Sequence, residues 1–358
     1  MSGGASGPGR TEPLAIAVGD PAGVGPAVAA EAVARALGSD RALLFGDGAR
    51  LIDALDALGV RAMRFEPDGA FRLGPGGVAV VDVAEWSDAD IAARAPTPGG
   101  GRAQLAQLDA AIDAVLAGRA RALVTGPTSK EAVTLGGTPF VGQTEHLARR
   151  SGLADDDVTM MFLGPRLRVA LVTTHLSVRA APEAITAPRV ARAVRHLADA
   201  LLRVAPDAPG PLRLDVAGLN PHAGEGGLFG DEERRVIAPC LEALRGAPPF
   251  SDGRVALGGP RPAEAVFREA AAGAVHGVVA MMHDQATIAS KLLDWGSAVN
   301  VTWGLSFVRT SVDHGVAYDA AAAGVAQADG MIAALEMAQR LTAAGEAAQG
   351  EPGRRPAR

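Results

Sequence analysis

Short apolar runs rich in Val, Ile and Leu alternate along this chain with longer Ala/Leu/Arg-rich stretches whose apolar residues recur at helical spacing. Parallel strands cannot be joined by a tight hairpin and need a crossover, usually a helix, so this alternation is the pattern of an α/β fold with a mainly parallel sheet. It predicts strands at Leu14–Val18, Ala42–Phe45, Val78–Val83, Ala122–Thr125, Met160–Leu163, Arg168–Thr173, Arg213–Ala217, Gly277–Met281 and Val299–Val301. Helices are expected at Pro26–Leu37, Ala103–Ala117, Ala187–Leu202, Glu232–Leu244, Pro262–Ala272 and Gly330–Ala343. The breaks "PTPGGG" (96–101), "APDAPGP" (205–211) and "RGAPPFSDG" (245–253) read as turn chemistry. With 358 residues, 48% of them hydrophobic, the chain can bury a large core as two domains or one large α/β unit.

Charge and cysteine content remove several function classes. A formal net charge of -6 offers no broad basic surface, so nucleic acid is a poor partner. Cys240 is the only cysteine, which rules out an intrachain disulfide framework and a thiolate cluster, and fits a reducing compartment. No apolar stretch approaches the ~18 residues of a membrane helix, and "MSGGASGPGRTEP" has no apolar signal core, so a cytoplasmic protein with no membrane partner is expected.

In sheets of this kind ligands collect beyond the C-terminal strand ends. The segments "GDPAGVGP", "TGPTSKE", "TTHLSV", "GLNPHAGEGG" and "MMHDQ" all fall there. Three of them carry His175, His222 and His283, and neutral imidazole is the commonest ligand of zinc and its neighbours. A single strand-end histidine is more often an ordinary hydrogen-bonded residue; three at equivalent strand ends point to a site. Lys130 and Lys291 are the only two lysines among 34 basic residues, which suggests a need for a compact ammonium group. Arg309, directly after an apolar segment, can fork onto a carboxylate or phosphate. "GDPAGVGP" matches neither GxGxxG nor GxxxxGK[ST], so it reads as a tight strand-to-helix turn rather than a phosphate loop.

The segments "GDPAGVGP", "TGPTSKEAV", "GQTEHLA", "TTHLSVRAAPEAIT", "GLNPHAGEGGLFGDEE", "MHDQ" and "VNVTWGLSFVRTSVDHGVAYD" occur in an order that resembles the 4-hydroxythreonine-4-phosphate dehydrogenases of the vitamin B6 pathway, over roughly residues 12 to 342. The resemblance implies a two-domain α/β/α fold like that of the isocitrate and isopropylmalate dehydrogenases, not a Rossmann fold, and a homodimer with its active site at the interface. It implies a discontinuous cofactor-side domain over 12–135 plus 290–345, a second domain over 136–289 with the metal ligands and dimer contacts, and flexible tails at 1–11 and 346–358. By motif, His175, His222 and His283 would hold one divalent ion (Zn²⁺, Co²⁺, Mg²⁺ or Mn²⁺), completed across the dimer interface. Gln143, Thr144, Lys291, Asn300 and Arg309 would contact the substrate, and His314, Gly315, Ala317 and Asp319 would bind NAD or NADP. Lys291 and Asp284 are the candidate catalytic groups, with Lys130 and a metal-bound hydroxide as alternative proton acceptors.

The implied reaction is NAD-dependent oxidation of 4-phosphooxy-L-threonine to a 3-oxo acid that decarboxylates to 3-amino-2-oxopropyl phosphate. The chain departs from the family pattern at Gln143, where "GHTE" has histidine, and in "MHDQATIASK" and "DAAAAGVA". Two alternatives follow: a related dehydrogenase of 4-phospho-D-threonate or 4-phospho-D-erythronate, or a metal-dependent lyase or hydrolase without NAD.

Overall fold

The computed structural model describes residues 12–67 and 72–349. The expected N-terminal tail and the end of the C-terminal one lie outside them. The chain divides into two compact units, one ending at Gly152 and resuming at Leu305, the other spanning Leu153–Gly304. These breaks fall later than the expected ones after residues 135 and 289. The helix Gln143–Arg150 stays with the first unit because His146 and Arg150 pair with Asp109 on the helix Pro98–Leu116. The strand Val299–Trp303 stays with the second unit because it pairs antiparallel with that unit's own first strand, Thr159–Leu163.

The first unit contributes β1 (Leu14–Ala17), β2 (Ala42–Gly46), β3 (Ala62–Phe65), β4 (Val78–Asp82), β5 (Ala122–Thr125) and, from its returning segment, β12 (Val308–Ser311). Their order is β3-β4-β2-β1-β5-β12, parallel throughout. Strands β1, β2 and β5 are buried along their whole length, which is why each reads as an unbroken apolar run. On one face Ala15, Leu43, Ala79 and Leu123 pack against Leu108, Ile112 and Val115 of the helix Pro98–Leu116. Each buried Leu or Ile there contributes roughly 1.5–3 kcal/mol.

The second unit contributes β6 (Thr159–Leu163), β7 (Arg168–Leu171), β8 (Leu212–Ala217), β9 (Val255–Arg261), β10 (Gly277–Ala280) and β11 (Val299–Trp303). The order is β11-β6-β7-β10-β8-β9, antiparallel across β11, β6 and β7 and parallel from β7 to β9. Its core joins Phe162, Val169, Leu171 and Val278 to Val266 and Ala270 of the helix Ala263–Ala271. Neither unit has the Rossmann strand order, so the molecule is an α/β protein of another kind.

All nine expected strands are present, and three more are not apolar enough to stand out. Strand β3 is an edge strand with exposed central residues, β9 is an edge strand ending in Gly-Gly-Pro-Arg, and β12 reads Val-Arg-Thr-Ser although its last three residues are buried. "PTPGGG" is not a turn. Pro98 opens a helix whose N-cap Thr97 accepts a hydrogen bond from the backbone of Gly100, at 2.9 Å. The helix expected over Gly330–Ala343 runs from Asp329 to Gln349, into the expected C-terminal tail. Among the described residues no helix is long and apolar enough to cross a membrane.

Candidate functional site

In the first unit the polar residues gather past the ends of β1, β5 and β12. Register places Arg309 beside Leu123 in the middle of the β5–β12 pair, and its side chain is only 2% exposed. A guanidinium buried this deeply needs acceptors. Its Nη2 donates to Thr125 Oγ1 at 2.8 Å and to the side-chain oxygen of Gln143. Thr125 Oγ1 donates to the same oxygen at 3.0 Å, while Gln143 Nε2 donates to the Gly126 carbonyl at 3.2 Å and to Thr128. Burial pushes the Arg309 pKa down to about 9, with the negative charge of Glu145 opposing the shift. Thr144 lies half-buried in the first helical turn beside it, and Lys130 is exposed at the start of the helix Lys130–Leu135.

The loop after β12 carries His314, Gly315, Ala317 and Asp319. His314 Nδ1 lies 2.9 Å from the Gly315 carbonyl, which can only accept, so Nδ1 carries the proton and Nε2 is an acceptor. That Nε2 is buried with no hydrogen-bond partner among the described residues. Ala317 takes a left-handed conformation, φ 52°, as N-cap of the helix Tyr318–Ala323, and Asp319 is exposed in its first turn.

In the second unit the pairing of β7 with β10 continues past both strand ends. Thr173 N and Oγ1 both donate to the Met281 carbonyl, at 3.2 and 2.7 Å. This brings His175 and His283 together with ring centroids 5.7 Å apart. Two imidazoles sharing one ion through bonds of about 2.1 Å have centroids roughly 5 Å apart, so the pair fits a common metal. His283 Nδ1 sits 2.8 Å from Asp284 Oδ1, a contact that fixes the orientation of the ring.

His222 does not join them. Its ring lies tilted by 46° beside Phe229, 6.3 Å between centroids, and among the described residues no group of three His, Cys, Asp or Glu side chains gathers that could hold a metal ion. The loop that carries it is unusual: His222, Ala223, Gly224, Glu225 and Gly226 all have positive φ, one turn of left-handed helix. Three of these are not glycine, at a cost of about 1–2 kcal/mol each. What holds the turn is Glu233, 5% exposed, whose Oε1 accepts from Asn220 N at 2.8 Å and Oε2 from Asn220 Nδ2 at 2.9 Å. Glu233 also opens a five-residue π-helical turn, Glu233–Ile237. Glu225, the carboxylate next to the histidine in sequence, is exposed.

Lys291 Nζ lies over the Trp295 ring at 5.5 Å, and Asn300 sits on β11 opposite Phe162 with its Oδ1 buried and unpartnered among the described residues. Glu233, Asn220, Thr125 and Thr128 were missed by sequence reasoning. Asn220 and Glu233 lie in the same motif segment as His222, whereas Thr125 and Thr128 lie in "TGPTSKE", far from Arg309 in sequence, and reach it only through the β5–β12 pairing.

The chain matches the family model described as pyridoxal phosphate biosynthetic protein PdxA over residues 39–338. Among curated relatives it is 42% identical over 336 residues to a 4-hydroxythreonine-4-phosphate dehydrogenase of Chromobacterium violaceum, covering 92% of this chain and 96% of that one. It is 40% identical to its namesake from Desulfosudis oleivorans, covering 91% and 94%. Among solved structures, the 4-hydroxythreonine-4-phosphate dehydrogenase of Klebsiella pneumoniae superposes with a TM-score of 0.72 at 34% identity, covering 92% of this chain and 99% of that one.

Proposed function

The chain belongs to the PdxA family, whose relatives are named as dehydrogenases, and from that premise we propose that it oxidises the C3 hydroxyl of 4-phosphooxy-L-threonine with NAD, or NADP, giving a 3-oxo acid that loses CO₂. The observation that carries the reading is the His175–His283 pair, two imidazoles converging at paired strand ends with Asp284 orienting one of them. A divalent ion held by His175, His283 and His222 would lower the pKa of the substrate hydroxyl and polarise the carbonyl, while the nicotinamide would accept the hydride.

The residues have separable tasks. Arg309, fixed by Gln143 and Thr125, would offset an anionic group of the substrate. Asn300 would orient it, Thr144 would donate to it, and Lys291 would balance charge or take up the proton. Asp284 holds the His283 ring, which makes it a positioning residue as well as a proton-handling candidate. His314 Nε2, an unpartnered acceptor, suits an exocyclic amino group of the cofactor.

His222 would complete the metal site in a homodimer. Each proposed ligand is followed by exposed apolar residues: Leu176 and Val178 after His175, Leu228 and Phe229 after His222, and Ile288, Leu292 and Trp295 after His283. The last three recur at helical spacing on one face of the helix His283–Leu293 and just past its end. An apolar surface concentrated around ligand loops supports a partner subunit covering them.

Gln143 favours one second reading. Its amide is spent on four protein contacts, so it offers the amino-acid end of the substrate less than the family histidine would. A phosphorylated sugar acid, 4-phospho-D-threonate or 4-phospho-D-erythronate, is the alternative substrate. Formation of NADH by purified protein, with 4-phosphooxy-L-threonine against 4-phospho-D-threonate and with or without a chelator, tests both. Turnover that survives metal stripping removes the metal role; preference for the threonate moves the substrate; no NADH with either removes the dehydrogenase reading.

A further inference from the structure

The chain has one tyrosine, Tyr318, and its hydroxyl donates to Asp20 Oδ2 at 2.8 Å although the two are 298 residues apart. Asp20, three residues past the end of β1, is 1% exposed, and two further donors meet it: Ala22 N on Oδ1 at 2.9 Å and Gln104 Nε2 on Oδ2 at 3.1 Å. Gln104, itself 2% exposed, uses its oxygen to accept from Ser129 N at 2.8 Å. One buried carboxylate thus ties the start of the helix Tyr318–Ala323, which follows the loop after β12, to the loop after β5 through direct hydrogen bonds. The backbone adds a second fastening, since Val24 N donates to the Val316 carbonyl at 3.0 Å. Gly23 lies so close beneath Val316 that a Cβ there would fall 2.6 Å from the same carbonyl oxygen. The sequence "GDPAGV" is therefore built to receive the segment that carries His314.

We propose that Tyr318 is a positioning residue that latches the His314–Asp319 loop onto Asp20 and, through Gln104, couples that loop to the 125–130 loop beside Arg309. The latch stands on hydrogen bonds and close contacts within one unit; only its effect on cofactor affinity rests on the NAD reading above. Burial, opposed by Ser129 and reinforced by the Asp20 hydrogen bond, holds the Tyr318 pKa above its ordinary value, in keeping with the hydroxyl acting as the donor. Losing it removes one hydrogen bond from a buried carboxylate, which corresponds to roughly a tenfold change in the loop's closed population.

The test is Tyr318→Phe in the full-length protein, read by amide hydrogen exchange without ligand and by NAD titration. Exchange across 314–319 should rise about tenfold while the cores of both units keep wild-type rates. The KM for NAD should rise by a similar factor with kcat and the substrate KM within about twofold, a split that general destabilisation would not produce. Asp20→Asn, which keeps the acceptor for Ala22 but not for both side-chain donors, should reproduce the loop effect if the phenylalanine variant folds poorly. Wild-type exchange rates at 314–319 in a folded Tyr318→Phe protein would overturn the latch, as would an increase spread evenly over the chain. If exchange rises at the loop but neither protein binds NAD, the latch stands and the cofactor reading falls.

Discussion

The guanidinium of Arg309 and the amide of Gln143 meet inside the first unit, and the amide is oriented by its other three hydrogen bonds so that oxygen, not nitrogen, faces the cation. Where the family pattern has histidine, Gln143 supplies a neutral acceptor whose protonation does not change with pH. Gln143→Glu puts a carboxylate against Arg309 and cancels its charge, so the KM for the phosphorylated substrate should rise at least about tenfold with the fold intact. Gln143→Leu leaves a buried donor unsatisfied and should instead lower the urea midpoint by an equivalent of about 1–3 kcal/mol. Equal substrate KM in wild type and Gln143→Glu would show that the charge of Arg309 is not used for binding.

Metal affinity separates the ligand from its support. His283→Ala should lower affinity for Co²⁺ by more than about a hundredfold, whereas Asp284→Asn, which weakens only the hold on His283 Nδ1, should cost roughly 10–100-fold. Competition against a chromophoric chelator reads both. Wild-type affinity in His283→Ala would remove this histidine from the site.

The α/β pattern was legible because strands such as Leu14–Ala17 and Ala42–Gly46 are buried on both faces and have no polar position to blur the run. Strand β12 was not, because Arg309, Thr310 and Ser311 are buried through hydrogen bonds to Thr125, the Ala334 carbonyl and the Thr125 carbonyl, and hydropathy cannot register burial of that kind. The histidines were legible as strand-end residues. The clamp of Glu233 on Asn220 was not, since it closes through a left-handed turn that His, Ala and Glu disfavour locally. Local rules failed where tertiary contacts impose the conformation, which is where functional loops are often found.

The exposed apolar stripe of the helix His283–Leu293 yields a prediction about assembly. Leu292 is 80% exposed and Trp295 78%. Leu292→Glu removes nothing from the core, so circular dichroism and thermal stability of the chain should be close to wild type once dimerisation is accounted for. Sedimentation should shift from dimer toward monomer, and activity should fall with it. A dimer of undiminished affinity would place the interface elsewhere.

The left-handed turn predicts opposite effects at adjacent positions. Gly224 has φ 82°, and a Cβ there would sit 2.7 Å from the Gly230 carbonyl oxygen. Gly224→Ala should therefore cost about 2–3 kcal/mol, combining left-handed strain with a backbone clash. Ala223, at φ 52°, already carries that strain, and Ala223→Gly should recover up to about 1 kcal/mol. Urea unfolding of the two variants checks the pair; a stabilising Gly224→Ala would contradict the turn.

The acid side of the stability profile should be governed in part by His196. Burial first, and the neighbouring Arg192 second, push its pKa down from 6.5 to about 4, while its Nδ1 stays 2.9 Å from Thr159 Oγ1. The unfolded chain binds a proton near pH 6.5 and the folded one only near 4, so between those values the unfolded state holds more protons and stability falls as pH falls. The contribution is complete above pH 6.5 and is lost progressively toward pH 4. At about 1.4 kcal/mol per pH unit the loss is at most about 3.5 kcal/mol, somewhat less for a side chain that keeps partial contact with solvent. Glutamine at this position retains a hydrogen-bonding group for Thr159 and does not titrate. His196→Gln should therefore flatten the decline in urea midpoint between pH 6.5 and 4 without altering the profile above pH 7. An unchanged acid slope in that variant would assign the decline to carboxylates instead.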